Sequence, residues 1–334
     1  MLRLPPFRYL APRNLEEATE MLAREGEQAM LVAGGTDLYP NMKRRQFTPP
    51  VLIGLRGIAS LKGISGSPEQ GLSIGAGTTL TTIAEHPVIQ QHYAALAIAA
   101  GSVSTPQLRN AGTLGGNLLL DTRCNYYNQT EFWRQSIGYC MKKDGDICLV
   151  APGSPRCWAI SSADTAPVLV SLEATVRLVS ARGERVLPVR DLFRDDGMHP
   201  YTKAADEILS EIILPPAGNW HSTYMKLRRR GSFDFPILGV AAALRFAHDG
   251  NVADARITLG AVASHPVEAK EAAALLVGQR LTPEVIDAAA ASAAKRSKPL
   301  DNADLTINYR KQVTTVYVRR ALNDLVQRAD KEGR

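Results

Sequence analysis

The sequence predicts an α+β protein built in two parts, and three observations predict it. Short apolar stretches, Ala29 to Ala33, Val51 to Leu55 and Leu72 to Gly77, alternate with helical segments and glycine turns through the first two hundred residues. A Pro-Pro-Ala-Gly run at 215–218 then reads as a linker. Beyond it the composition changes. Three strand-like stretches, Tyr224 to Leu227, 237–246 and 255–260, precede alanine- and charge-rich segments at 266–278, 282–296 and 308–329 that read as helices packed on an antiparallel sheet.

From the N-terminus, residues 5–12 are proline-rich and extended. Asn14 before Leu15-Glu16-Glu17-Ala18 has the character of an N-cap with acids in the first turn, opening a helix to about Arg24. The strand at 29–33 stops abruptly in Gly34-Gly35-Thr36-Asp37. Residues 94–100 suit a buried helix, and Pro106 leads on to Asn110 through Thr113-Leu114-Gly115-Gly116-Asn117. Ser162-Ala163-Asp164 reads as a helix start, 174–178 as a strand, and 207–214 closes this half.

The two paired-glycine turns carry the first functional signal. Without Cβ atoms, backbone N–H groups can approach an anion closely, and Thr36, Thr113 and Asn117 place short polar side chains beside them. Two such turns could grip two parts of one diphosphate ligand. Neither is a Gly-x-Gly-x-x-Gly fingerprint or a Walker A loop.

The second signal is cysteine placement. Cys124, Cys140, Cys148 and Cys157 are the only cysteines in 334 residues, with gaps of fifteen, seven and eight. The segment between them is rich in Pro, Gly and Asp and reads as one long ordered loop. Six of the chain's aromatics accompany it: Tyr126, Tyr127, Phe132, Trp133, Tyr139 and Trp158. Two disulfides, a structural zinc ion and a four-thiolate iron–sulfur cluster all remain open on spacing alone.

Other classes are weaker. No apolar run is long enough for a membrane span or a leader peptide, which points to a cytoplasmic protein. The net charge of +6 is modest, and basic groups at 43–45, 228–230 and 319–320 lack any nucleic-acid motif; a phosphorylated cofactor or an acidic partner also suits them. The six histidines are scattered, and no Gly-x-Ser-x-Gly elbow is present.

The stretches Ala33 to Leu38, Arg109 to Asn117, Ser162 to Asp164 and Asp301 to Arg310 resemble the flavin-binding subunits of the xanthine dehydrogenase family of molybdenum hydroxylases. That resemblance spans nearly the whole chain. It implies a vanillyl-alcohol-oxidase-type (PCMH) FAD-binding domain at 1–216, made of subdomains at about 1–57 and 58–216. A C-terminal domain of the CO dehydrogenase flavoprotein type would follow at 217–334. By motif, it assigns FAD contacts to Leu31, Val32, Ala33, Gly34, Gly35, Thr36, Asp37, Leu38, Val103, Thr113, Leu114, Gly115, Gly116, Asn117, Asp164 and Lys226.

The cysteine-rich segment, 122–159, departs from the usual family pattern. It resembles the 4-hydroxybenzoyl-CoA reductase branch, which implies a [4Fe–4S] cluster on Cys124, Cys140, Cys148 and Cys157. The same resemblance implies an electron-transfer subunit with no substrate site of its own. Its partners would be a large molybdenum-cofactor subunit and a small [2Fe–2S] subunit in a dimer of heterotrimers, with ferredoxin as donor. The competing expectation is a hydroxylase flavin subunit passing electrons outward to NAD or a quinone.

Overall fold

The computed structural model describes residues 2–331, in three sheets. The first is small and parallel, with strands β1 (Arg8–Leu10), β2 (Ala29–Val32) and β3 (Val51–Gly54) in the order β1-β3-β2. A helix at Leu15–Glu25 makes the first crossover. Asn14 caps it as expected, its side chain accepting from the Glu17 N–H at 2.8 Å. Its buried face, Ala18 and Leu22, packs with Val51 and Ile53.

The second sheet is antiparallel and five-stranded: β4 (Ile64–Ser67), β5 (Gly71–Gly75), β6 (Thr175–Ser180), β7 (Gly183–Pro188) and β8 (Ile208–Leu214), ordered β4-β5-β8-β6-β7. Its pairing of β5 with β8 joins residues 136 to 142 positions apart. The long excursion between β5 and β6 therefore leaves the sheet and returns. That excursion contains the buried helix Ala94–Ser102, the cysteine segment and the helix Thr165–Ser171. Both helices are apolar on nearly every side and sit in the main core with Ile74, Leu178 and Ile212.

The third sheet holds β9 (Trp220–Leu227), β10 (Leu238–Phe246), β11 (Val252–Gly260) and β12 (Val267–Glu268) in the antiparallel order β12-β11-β10-β9. β10 is apolar from Leu238 to Leu244 because both its faces are covered. Val240, Ala242 and Leu244 face the helices Pro283–Arg296 and Ile307–Lys331, whereas Ala241 joins the core of the N-terminal half. Period-two alternation thus splits one strand between two cores.

Two expectations are corrected. The stretch 266–278 is not one helix: Pro266 and β-branched Val267 start an extended edge strand, and only Lys270–Ala274 is helical. The cysteine segment is not helix-free either, because Thr130 caps a short helix at Glu131–Ser136. The C-terminal helix runs to the limit of the described residues; 332–334 lie outside them.

Candidate functional site: a glycine-walled cleft with a cysteine pocket against it

A cleft of about 940 Å³ runs between the first sheet, the second sheet and the 228–237 segment. That volume suits a dinucleotide-sized ligand. The first glycine turn leaves β2 and lies directly on the second. A Cβ on Gly34 would stand 2.0 Å from the Ala111 carbonyl oxygen, so only glycine fits there. Gly35 has φ +71°, and a Cβ on it would strike the Tyr39 ring. Close backbone contact thus brings together two turns eighty residues apart in the chain.

The second glycine pair has a different structural role from the one its sequence suggests. Gly115 and Gly116 belong to a short helix, Leu114–Leu118, capped by Thr113, whose hydroxyl accepts from the Gly116 N–H at 3.1 Å. The Leu114 and Gly115 N–H groups are already bonded to the carbonyls of Thr78 and Ala76. Gly115 is glycine because a Cβ would sit 2.7 Å from that of Ala76. Asn117 likewise spends its side-chain oxygen on the backbone and hydroxyl of Thr165, at 3.1 and 2.7 Å. These residues shape the wall, and fewer of their N–H groups face a ligand than the paired glycines suggest.

Of the remaining candidates, residues 31–38, Val103, Thr113, Gly115, Gly116, Asn117 and Asp164 all line the cleft. Leu114 does not; it is fully buried in the main core. Lys226 stands one layer back, on β9. Its ammonium meets Asp164 Oδ2 at 2.9 Å and the Ser102 carbonyl at 3.1 Å, while Tyr224 donates to Asp164 Oδ1 at 2.8 Å. Gly239, on the neighbouring strand, leaves room for the Tyr224 hydroxyl. Asp164 therefore does not cap the helix that follows it. Burial raises its carboxyl, opposed by Lys226, and burial lowers the Lys226 amine, opposed by Asp164.

Asp37 is half-buried at the cleft's edge, and desolvation raises its carboxyl against the pull of Arg123, 3.7 Å away. Sequence reasoning missed Arg123, whose guanidinium lies 3.8 Å over the Phe235 ring. It also missed Thr78, Asn110 and Phe233. Arg44, Arg229 and Arg230 line the cleft, so two of the basic groups noted above surround a site suited to a diphosphate.

The four cysteines are buried, unpaired by disulfides, and line one narrow cavity of about 10 Å³. Tyr126, Tyr127, Met141, Lys142, Leu149, Val150 and Ala159 complete its wall. Among the described residues, no three His, Cys, Asp or Glu side chains gather closely enough for a single metal ion. Burial pushes the Cys124 thiol up to about 12, with the backbone at Tyr126 opposing. Burial likewise pushes Cys157 to about 11, opposed by the Ala159 N–H, 3.4 Å from its sulfur, and by Lys142. Cys124 lines the larger cleft as well. The segment is tied down on both sides. Asn302, from the C-terminal domain, donates to the Trp158 carbonyl at 2.6 Å, and buried Arg134 holds the carbonyls of Arg44 and Arg45 at 3.1 and 3.0 Å.

Comparison with known proteins places this architecture. Residues 5–217 match the FAD binding domain in molybdopterin dehydrogenase, and residues 222–325 match the CO dehydrogenase flavoprotein C-terminal domain. The chain belongs to this family of FAD-binding subunits of molybdenum hydroxylases, and it is an oxidoreductase subunit that binds FAD. It is 30% identical to the nicotinate dehydrogenase FAD-subunit of Eubacterium barkeri, over 84% of this chain and 83% of that one. It is 28% identical to the nicotine 6-hydroxylase medium subunit of Paenarthrobacter nicotinovorans, over 96% and 98%. Among solved structures, carbon monoxide dehydrogenase from Hydrogenophaga pseudoflava matches with TM-score 0.79 and 29% identity, covering 98% of this chain and 99% of that one. Its fold is of the same α+β kind, a PCMH-type flavin domain followed by the CO dehydrogenase flavoprotein domain.

Proposed function

We propose that the chain is the FAD- and [4Fe–4S]-carrying electron-transfer subunit of a molybdenum enzyme that reductively dehydroxylates 4-hydroxybenzoyl-CoA. The observation that carries this reading is the gathering of four buried, unbridged thiols into one cavity that shares Cys124 with the flavin cleft. A cubane cluster is wider than one metal ion, so its thiolates stand farther apart than those of a zinc site. Four buried thiols lining one cavity supply the donor set that such a cluster needs. The apolar wall and the N–H donated to Cys157 sulfur are features that suit a cluster.

In this reading, Cys124, Cys140, Cys148 and Cys157 hold the cluster, which supplies one-electron transfer. The glycine turns, Thr113 and the Asp164 side of the cleft hold FAD, which supplies exchange between one- and two-electron carriers. The chain's own work is to orient the flavin, fix the charge around it and exclude water. Arg44, Arg229 and Arg230 offset the diphosphate's charge, and the Lys226–Asp164–Tyr224 set holds a buried carboxylate on the cleft wall.

The balanced reaction takes 4-hydroxybenzoyl-CoA, two electrons and two protons to benzoyl-CoA and water, with two reduced ferredoxins oxidised. Ring chemistry belongs to a large molybdenum-cofactor subunit, and a small subunit carries [2Fe–2S] clusters, in a dimer of heterotrimers in the cytoplasm. A second reading has support in the similarity to nicotinate dehydrogenase and nicotine 6-hydroxylase subunits. There the chain passes electrons outward from a hydroxylation to NAD or a quinone.

The test is an anaerobic assay of the purified complex with reduced ferredoxin and 4-hydroxybenzoyl-CoA, following benzoyl-CoA by chromatography. The proposal expects benzoyl-CoA in step with ferredoxin oxidation. No benzoyl-CoA, together with NAD or quinone reduction on adding an N-heterocycle, would overturn it in favour of the second reading.

A further inference from the structure

One ion pair, buried at its lysine end, spans the partition between the two cavities. Lys142, two residues beyond Cys140, lines the cysteine cavity, and Asp121 lines the flavin cleft. The Lys142 Nζ meets Asp121 Oδ1 at 2.8 Å, Thr122 Oγ1 at 2.7 Å and the Gly197 carbonyl at 2.6 Å. An ammonium has three protons, and three oxygens take them. No thiol is used. The side chain is only 5% exposed, and its charge lies 4.8 Å from the Tyr127 ring centroid. The pair is therefore a fixed dipole, with its positive end on the thiol side and its negative end on the flavin side.

We propose that Lys142 and Asp121 set the reduction potential of the cluster held by the four cysteines. The inference rests on the cluster reading above and extends it to residues that bind no cofactor. Adding one electron to the cluster raises its negative charge by one. A buried cation beside it stabilises the reduced form, and low local dielectric with little ion screening preserves the effect. Asp121 opposes this from one step farther away. Removing the cation makes the cluster harder to reduce, and removing the anion makes it easier.

Lys142 also has a structural use, since it ties residues 121, 122 and 197 together, and the Gly197 N–H donates to the Cys157 carbonyl. The test separates the two roles. Parent, Lys142→Met, Lys142→Arg and Asp121→Asn complexes are titrated anaerobically, with the reduced cluster followed by electron paramagnetic resonance and iron, sulfide and FAD measured on each. At fixed potential, Lys142→Met should lower the reduced-to-oxidised ratio about tenfold, which is about 59 mV for a one-electron couple. Lys142→Arg should stay near the parent, and Asp121→Asn should shift the other way. A full complement of iron and sulfide in Lys142→Met with an unmoved potential would overturn the proposal. So would shifts of one sign in Lys142→Met and Asp121→Asn. If Lys142→Met loses its cluster, Asp121→Asn decides alone, and an unchanged potential there overturns the proposal. A parent lacking iron and sulfide would instead overturn the cluster reading, and this inference with it.

Discussion

The flavin cleft and the cysteine pocket meet at Cys124, yet they are built in opposite ways. The cleft is open and formed by backbone: Gly34 sits against Ala111, Gly115 against Ala76, and the missing Cβ atoms create the fit. The pocket is closed and formed by side chains, four thiols inside an aromatic and aliphatic wall on a segment held by Arg134 and Asn302. A backbone-built site tolerates little added volume but survives the loss of one polar side chain. A side-chain-built site fails when one ligand is removed. The two regions should therefore respond independently, and each prediction below probes that independence.

The largest effect is expected from Cys140→Ala, which should abolish bound iron and sulfide while leaving FAD content intact. Loss of both cofactors together would show the two sites to be one cooperative unit. Next comes Lys226→Met, which strips the partner from buried Asp164. Breaking a buried pair in this way costs roughly 3–5 kcal/mol. Burial already raises the Asp164 carboxyl and lowers the Lys226 amine, so the variant's deficit should be greatest between the two, where the parent's pair is fully charged, and shrink as acid neutralises the orphaned carboxylate. Chemical denaturation across pH checks this; a deficit that grows on that acid side would contradict the assignment.

Gly34→Ala forces a Cβ into the Ala111 carbonyl and should cost about 1–3 kcal/mol, with flavin lost and the cysteine site unaffected. Flavin absorbance and melting temperature together report it. The smallest effect belongs to Arg185→Met. Arg185 makes bonds of 2.6 and 2.8 Å to Glu207, but its side chain is 45% exposed, so the pair is worth less than about 1 kcal/mol. The Arg185 bond lowers the Glu207 carboxyl below its ordinary 4.5. The pair's contribution is therefore present above that value and lost as pH falls through the folded-state pKa. The parent and variant melting curves should differ above pH 4.5 and converge below it.

Much of the scaffold was legible because its signals are local. Asn14 announces a cap, and short strand-like stretches announce β9, β10 and β11. Where local signals conflict, the reading failed: Pro266 and Val267 outweighed the alanines that follow them. The cleft was legible as two glycine turns, but the reason for each glycine was not. Gly115 yields to Ala76 and Gly34 to Ala111, contacts that only the folded chain creates. Arg123 was within reach, since it directly precedes a cysteine, but its partners Asp37 and Phe235 lie about ninety and a hundred and ten residues away in sequence. Lys142 likewise meets Asp121 and Gly197 only in space.

The central claim is that two redox sites share one wall. The most direct test is the content of iron, zinc, acid-labile sulfide and flavin in anaerobically purified protein. The account predicts one FAD with about four irons and about four sulfides per chain. Flavin with zinc and no sulfide, unchanged after attempted cluster reconstitution, would contradict it and leave a flavin subunit stapled by a structural metal.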